Sequence, residues 1–243
     1  MKITRKSRLL LLLVMISIFS ISETNYAATK NIKVKGQNYS IVTSGAASSG
    51  FCKLYQKVSG KNKQLLKLKN AYLYYYTASG NNIYFNVTDY KPYHTHAHGS
   101  WAGCDTACFN IKTKKFKWLS KDTSFRLKIG NYAMQTSSYY GDGGCVGKAY
   151  SYNLSSGKKK LLGANCDGLS LKYMFGRVYY AELSSDYSYL YIKSCMPSSA
   201  EKRTIAKINC KNIRNFKANF IKTNIYSTYC TIAVGRKTYR AYY

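Results

Sequence analysis

One short phrase returns five times along this chain at nearly constant spacing. The copies are GQNYSIV (Tyr39), NNIYFNV (Tyr84), GNYAMQT (Tyr132), GRVYYAE (Tyr179) and TNIYSTY (Tyr226), at steps of 45, 48, 47 and 47 residues. A period in the forties, built of short strand-type segments, predicts a series of small sheets, none able to bury its own faces alone. The expected fold class is therefore all-β, a β-propeller of about five four-stranded blades with the last blade short. A β-sandwich is the alternative, but two packed sheets give no reason for such even spacing.

Alternation of apolar and polar residues marks the strands within each repeat. In the third repeat they read SFRLKI (124–129), NYAMQTS (131–137), AYSYNL (149–154) and KKKLLG (158–163), with Ser-Ser-Gly turning the last pair. The first repeat reads NIKVKG, NYSIVT, FCKLYQKV and QLLKLK, and the second AYLYYYT, NIYFNV, ACFNI and FKWLS. The fourth is expected to run through LSLKYMF, RVYYAEL and TIAKINC to IRNFKA, and the fifth through NFIKT, NIYSTYC, TIAVG and KTYRAYY. Both prolines, Pro92 and Pro197, fall between these strands, where a ladder tolerates them. The pairing of an IYF or VYY strand with the hairpin YSYNLSSGKKKLL resembles the repeat of TolB-like propellers and of YWTD propellers, over roughly residues 31–243. The Trp-Thr-Asp signature is absent, and NIYFNVTDY (82–90) is its nearest approach. The resemblance implies a propeller with a binding role and transfers no site residue.

The N-terminus reads as a targeting segment. Lys2, Arg5, Lys6 and Arg8 precede the apolar run from Leu9 to Ile21, and NYAAT supplies small residues for cleavage near Ala27 or Ala28. The expectation is a signal peptide over 1–28, one propeller domain over 29–243, and a secreted, extracellular protein. No later apolar run is long enough for a membrane helix, so no membrane insertion is expected. In that setting an even number of cysteines reads as disulfides of undetermined pairing. The candidates are Cys52, Cys104, Cys108, Cys145, Cys166, Cys195, Cys210 and Cys230. Buried free thiols are the alternative.

With 38 Lys and Arg against 9 Asp and Glu, the chain carries a formal net charge of +29. An excess of one sign favours anionic partners, or keeps an edge-rich β protein soluble. Blade geometry sorts the polar features onto two surfaces. Long loops at 43–50, 88–107, 137–148 and 184–202 form one, and loops of that length are commonly functional. One of them holds His94, His96 and His98, which alternate as zinc or copper ligands would on an extended segment, with Cys104 and Cys108 following. The other surface collects basic hairpins: Lys61 and Lys63; Lys112, Lys114 and Lys115; Lys158, Lys159 and Lys160; Lys211 and Arg214. Equivalent cations in successive repeats suit a flexible anionic polymer.

For catalysis the sequence offers little. Glycoside hydrolysis needs two placed carboxylates, and the loops hold Asp89, Asp105 and Asp142. No nucleophile elbow, Walker loop, HExxH helix or EF-hand loop occurs. The expected function is a secreted, non-enzymatic propeller that binds a protein or an anionic polymer at the cell surface. An exported metal-binding protein centred on the His loop and a hydrolase using loop carboxylates are the alternatives.

Overall fold

The computed structural model describes residues 28–45, 50–89, 95–96, 99–100, 103–137, 146–168, 170–199, 201–211, 221–234 and 236–243. These residues form antiparallel strands and turns with no helix among them, so the fold is all-β. They divide into two compact units, the first ending at Leu73 with Asp89 added, the second beginning at Tyr74.

The first unit is an up-and-down sheet of β1 (Ala28–Val34), β2 (Gln37–Ser44), β3 (Phe51–Val58) and β4 (Lys61–Lys69) in that spatial order. Two-residue turns fix its register. Lys35 and Gly36 join β1 to β2, and Ser59 and Gly60 join β3 to β4, all four with positive φ. That is the type I′ geometry that matches strand twist, and it leaves a glycine at the more extreme φ of each turn. Alternation then sorts the side chains by face. Ile32, Val34, Tyr39, Ile41, Cys52 and Leu54 are buried, while Asn31, Lys33 and Asn38 on the opposite face are exposed.

The second unit repeats the same meander. It begins in β5 (Ala71–Ser79) and continues with β6 (Asn82–Asp89), a two-stranded excursion of β7 (Thr95–His96) and β8 (Gly99–Ser100), then β9 (Gly103–Asn110) and β10 (Lys115–Ser120). The sheet order is β10-β9-β6-β5. Next come β11 (Thr123–Ile129), β12 (Tyr132–Ser137), β13 (Val146–Asn153) and β14 (Lys159–Asp167), then β15 (Lys172–Met174), β16 (Arg177–Leu183), β17 (Tyr189–Cys195) and β18 (Lys202–Asn209). These two meanders join into one sheet through the single pair Cys166↔Glu182 between β14 and β16. A three-stranded sheet of β19 (Ile221–Ile225), β20 (Tyr229–Val234) and β21 (Lys237–Tyr242) follows. A four-stranded antiparallel meander repeated in sequence order is the building unit of a β-propeller.

Within the second unit each core layer is shared by consecutive meanders. Tyr84 and Cys108 of one pack with Phe125, Ala133, Tyr152 and Leu154 of the next. Met134, Ala149, Leu162 and Cys166 pack with Val178, Tyr180 and Cys195. Ala181, Leu183, Leu190, Ile192 and Cys210 pack with Ile225, Cys230, Ile232 and Val234. Stability is thus a series of neighbour interfaces rather than one central core.

Three expectations are corrected. The stretch 184–202, expected to be a long loop, contains β17. Ser184 donates to the Asp186 carboxylate at 2.6 Å and Ser188 N–H donates to the same oxygen at 3.1 Å, closing a tight turn that frees the alternating YLYIKSC for a strand. TIAKIN therefore lies on the fourth strand of its meander, not the third. Tyr226 lies in the turn between β19 and β20 instead of on a strand, because the apolar alternation runs through Cys230, Ile232 and Val234.

The third correction concerns the disulfides. Cys52, Cys108, Cys166, Cys195, Cys210 and Cys230 are all buried free thiols. Their even distribution follows the repeat: Cys52, Cys108, Cys195 and Cys230 each sit on the third strand of their meander, counting β20 as that strand. There they fill small apolar gaps in separate layers. The side chain of Cys104 and all of Cys145 lie outside the described residues, as do residues 1–27 with the expected targeting segment.

Candidate polyanion-binding surface

Each meander ends in a strand whose outward positions are basic. β4 carries Lys61, Lys63, Lys67 and Lys69; β10 carries Lys115 and Lys117; β14 carries Lys159 and Lys160. β18 adds Lys202, Arg203 and Lys207, and β21 adds Lys237 and Arg240, and all of these side chains are exposed. Unpaired strand edges invite pairing with another chain, and lysine on them opposes it. The cations therefore have a structural reason to stand where they do, and they also line the rim of every sheet with positive charge.

A finer arrangement recurs on the last two strands of four meanders. A half-buried ring on the penultimate strand is capped by a cation from the final strand. Lys67 Nζ lies 5.2 Å from the Phe51 ring, Lys159 Nζ 4.6 Å from Tyr150, Lys207 Nζ 4.1 Å from Tyr189, and the Arg240 guanidinium 4.9 Å from Tyr229. Register explains the recurrence. The rings pair directly with Lys69, Leu161, Asn209 and Tyr242, so the cation always stands two residues before the direct partner. This is the diagonal neighbour on the same sheet face, within reach of a long side chain. Each contact contributes about 0.5–1 kcal/mol at such exposed sites. The stem lies along the ring and the charged head stays in water at a fixed place.

Tyr189 and Phe51 are each approached by a second cation, Lys211 at 5.8 Å and Lys53 at 4.5 Å. In the last sheet Tyr226 stacks on Tyr229 at 4.4 Å and 13°, with Lys172 Nζ 4.9 Å from the Tyr226 ring. Few carboxylates are free to neutralise this surface. Glu182 pairs with Lys193 at 2.5 Å and accepts from Ala164 N–H, and Glu201 pairs with Arg203 at 3.1 Å. Asp105 accepts the N–H of Asp122, and buried Asp167 accepts the N–H of Thr223 at 2.7 Å. Hydrogen bonds from Ser184 and Ser188 hold the Asp186 carboxyl well below the usual range.

The residues expected from sequence fall unevenly on this surface. Lys61 and Lys63, Lys112, Lys114 and Lys115, and Lys158, Lys159 and Lys160 are exposed on or beside hairpins, as anticipated. Lys211 is not equivalent to them. It follows β18 beside Cys210, whose N–H donates to Ser188 O at 2.8 Å, so it stands at the opposite end of the sheet. The equivalent position in that meander belongs to Lys202 and Arg203, which flank the turn out of β17. Arg214 lies outside the described residues. Sequence reading missed Lys67, Lys207 and Arg240 and their ring partners, because the diagonal offset exists only once strands are paired.

The other expected sites are less fully described. His94 and His98 lie outside the described residues, and of His96 only its backbone place in β7 is described. Cys108, expected to stand near them, is 9 % exposed and packs in a core layer. Burial pushes its thiol pKa up, the wrong direction for a surface thiolate ligand. No cluster of three or more His, Cys, Asp or Glu occurs among the described residues. Of the loop carboxylates, Asp105 holds a backbone N–H, while Asp142 and the Asp89 side chain lie outside the described residues.

No protein-family model matches the chain, and no curated protein is similar to it in sequence. Solved structures with a similar fold include TolB from Acinetobacter baumannii, at 12% identity over 83% of this chain and 51% of that one, with a TM-score of 0.35. A variant of the Synechocystis apocarotenoid oxygenase is similar at 8% identity over 76% of this chain and 50% of its own, with a TM-score of 0.43. The polysaccharide lyase Uly1 is similar at 9% identity over 87% and 56%, with a TM-score of 0.36. The chain spans about half the length of each.

Proposed function

We propose that this protein is an exported, non-enzymatic binder of anionic polymers, which it holds through the basic final strands of its meanders. The observation that carries this reading is the recurring ring-capped cation, placed on the same diagonal in four meanders. Each cap adds a little to sheet stability and also holds its charge at a fixed place. A polymer with repeated negative charge gains from repeated, pre-positioned cations, each adding a modest and salt-sensitive increment.

The test is a graded neutralisation. Lys158, Lys159 and Lys160 are replaced by Ser, then the sets Lys61/Lys63, Lys112/Lys114/Lys115 and Lys202/Arg203 are added in turn. The salt needed for elution from a heparin or teichoic-acid column falls with each set, while stability changes by only a few tenths of a kcal/mol per exposed site, and by about 0.5–1 kcal/mol where Lys159 leaves the Tyr150 ring. A fully neutralised variant that elutes with the parent removes the polyanion reading and leaves the cations to edge protection. Export is part of the proposal and rests on the basic and apolar N-terminal sequence. N-terminal sequencing of protein recovered from the medium should start just after Ala27 or Ala28.

A further inference from the structure

The exposed face of the β1–β4 sheet forms a groove of about 580 Å³. That lies within the range of about 300–1,000 Å³ usual for small-molecule and single-segment sites. Its floor is set by strand register. Lys33 of β1 stands opposite Asn38 of β2, Asn31 opposite Ser40, and Lys57 of β3 opposite Asn62 of β4. Alternation sends all six side chains to the face opposite buried Ile32, Tyr39 and Ile41. With Thr29 and Val42 the lining therefore combines two cations, three primary amides, the Thr29 and Ser40 hydroxyls and apolar surface, and no carboxylate lines it. All three amide side chains are exposed, so their donors and acceptors are within reach of a ligand.

We propose that this groove is the specific subsite for one segment of an acidic polysaccharide. The inference rests on the polyanion reading above and narrows its ligand class. Lys33 and Lys57 answer the carboxylate or sulfate of such a polymer, and either would equally suit a phosphate chain. The amides make the distinction. Each Asn presents an N–H₂ donor beside a carbonyl acceptor, which matches a sugar hydroxyl that both accepts and donates. A fully ionised phosphate chain has acceptors only. Its oxygens accept from the amide N–H₂ groups but offer the amide oxygens no donor, so these stay with water and a hydroxyl-bearing ligand gains contacts that a phosphate chain does not. Asn31 stands in the middle of β1, a position from which Asn is depleted, whereas Asn38 and Asn62 each stand second in their strands beside the tight turns.

The experiment compares the parent with Asn31→Ala/Asn38→Ala/Asn62→Ala, a triple variant whose net charge is unaltered. Calorimetric titration uses a hexamer of galacturonate, a polyphosphate of matched charge and a single-stranded oligonucleotide, all at one ionic strength. The three amides are exposed on a paired strand face, and an unchanged melting temperature certifies the fold of the variant. The proposal expects the galacturonate hexamer to bind the parent more tightly than either phosphate polymer. It expects the triple variant to lose about tenfold or more for the hexamer and nothing for polyphosphate. Equal hexamer affinity in parent and variant overturns the groove assignment, while continued polyphosphate binding keeps the polyanion reading intact. Tighter binding of the oligonucleotide, insensitive to the amides, overturns it in favour of a nucleic-acid ligand. Binding of no probe removes both readings together.

Discussion

The Cys195, Cys210 and Cys230 side chains show how one residue type takes its chemistry from its place in the repeat. Each is fully or almost fully buried in an inter-sheet layer, and burial pushes its thiol from an ordinary 9.0 up to about 11. Cys166 is shifted in the same direction, by burial first and by the Glu182 carboxylate second. The protonated form is the native one, so the native state holds these protons more tightly than the unfolded chain. Stability from this source is complete below pH 9, and it is lost as the pH rises through about 11. The melting temperature should therefore decline between these values, beyond any loss that lysine deprotonation brings. Replacing Cys195 and Cys230 by Ala should flatten that decline, although each substitution lowers stability at neutral pH by leaving a small void. Thiol titration after denaturation without reductant should find at least six groups, and the native protein should react slowly, since the thiolate is the nucleophile. Fewer than six would reinstate bridges. The even cysteine count misleads because a repeat returns cysteine to an equivalent core position without pairing it, and a sequence shows the count without the layers.

At the scale of strands, most of the fold is legible. Alternation located β1 to β6 and β9 to β14, with ends that differ by up to four residues, and the turn pairs Lys35–Gly36 and Ser59–Gly60 stand where glycine follows a hydrophobic run. In the fourth meander β15 and β16 were legible and β17 was not, because 184–202 is rich in Ser, Asp and Tyr and has a loop's composition. Its strand depends on hydrogen bonds around Asp186 that close a turn of a few residues. The basic rim was half legible for a related reason: hairpin lysines announce themselves, whereas a ring-capped lysine is visible only in register. Gly147 is a further element-level constraint that composition hides. A Cβ there would lie 2.5 Å from the Ser137 carbonyl oxygen on the adjacent strand. The contact is with backbone, and β12 and β13 are already tied at this point by the 2.6 Å bond from Lys148 N–H to Ser137 Oγ. Gly147→Ala should force the two strands apart and cost about 1–3 kcal/mol, read from urea denaturation. A loss under half a kcal/mol would mean that the pair opens freely at this end. The same substitution at Gly36 meets no neighbour within 4 Å, and its cost would come from φ alone.

Over the second unit as a whole, the arrangement of the core predicts how the molecule comes apart. Every layer joins consecutive meanders, and Ile232 belongs to the layer between the β15–β18 meander and the last sheet. It is 1 % exposed. Ile232→Ala should cost about 2–5 kcal/mol through lost transfer energy and the void left behind. In a protein with one central core that loss would be felt by every strand alike. In a series of neighbour interfaces it falls first on the sheet that can detach. Hydrogen exchange of the variant should therefore accelerate in β19, β20 and β21 and on the outward side of β16 and β17. Protection in β12 and β13 should stay close to that of the parent, because Met134, Ala149 and Leu162 pack in a different layer. One coupling runs against complete independence. The Asp167 carboxylate of β14 accepts the Thr223 N–H of β19, so the last sheet is also tied across to the third meander. If that buried charge-assisted bond dominates, exchange at β14 will rise together with β19 in the Ile232 variant, and adding Asp167→Asn will accelerate β19 further. If the apolar layer dominates, β14 will stay protected. Uniform acceleration across all strands would contradict the layered account, and the repeat would then describe ancestry of the sequence without describing how its stability is distributed.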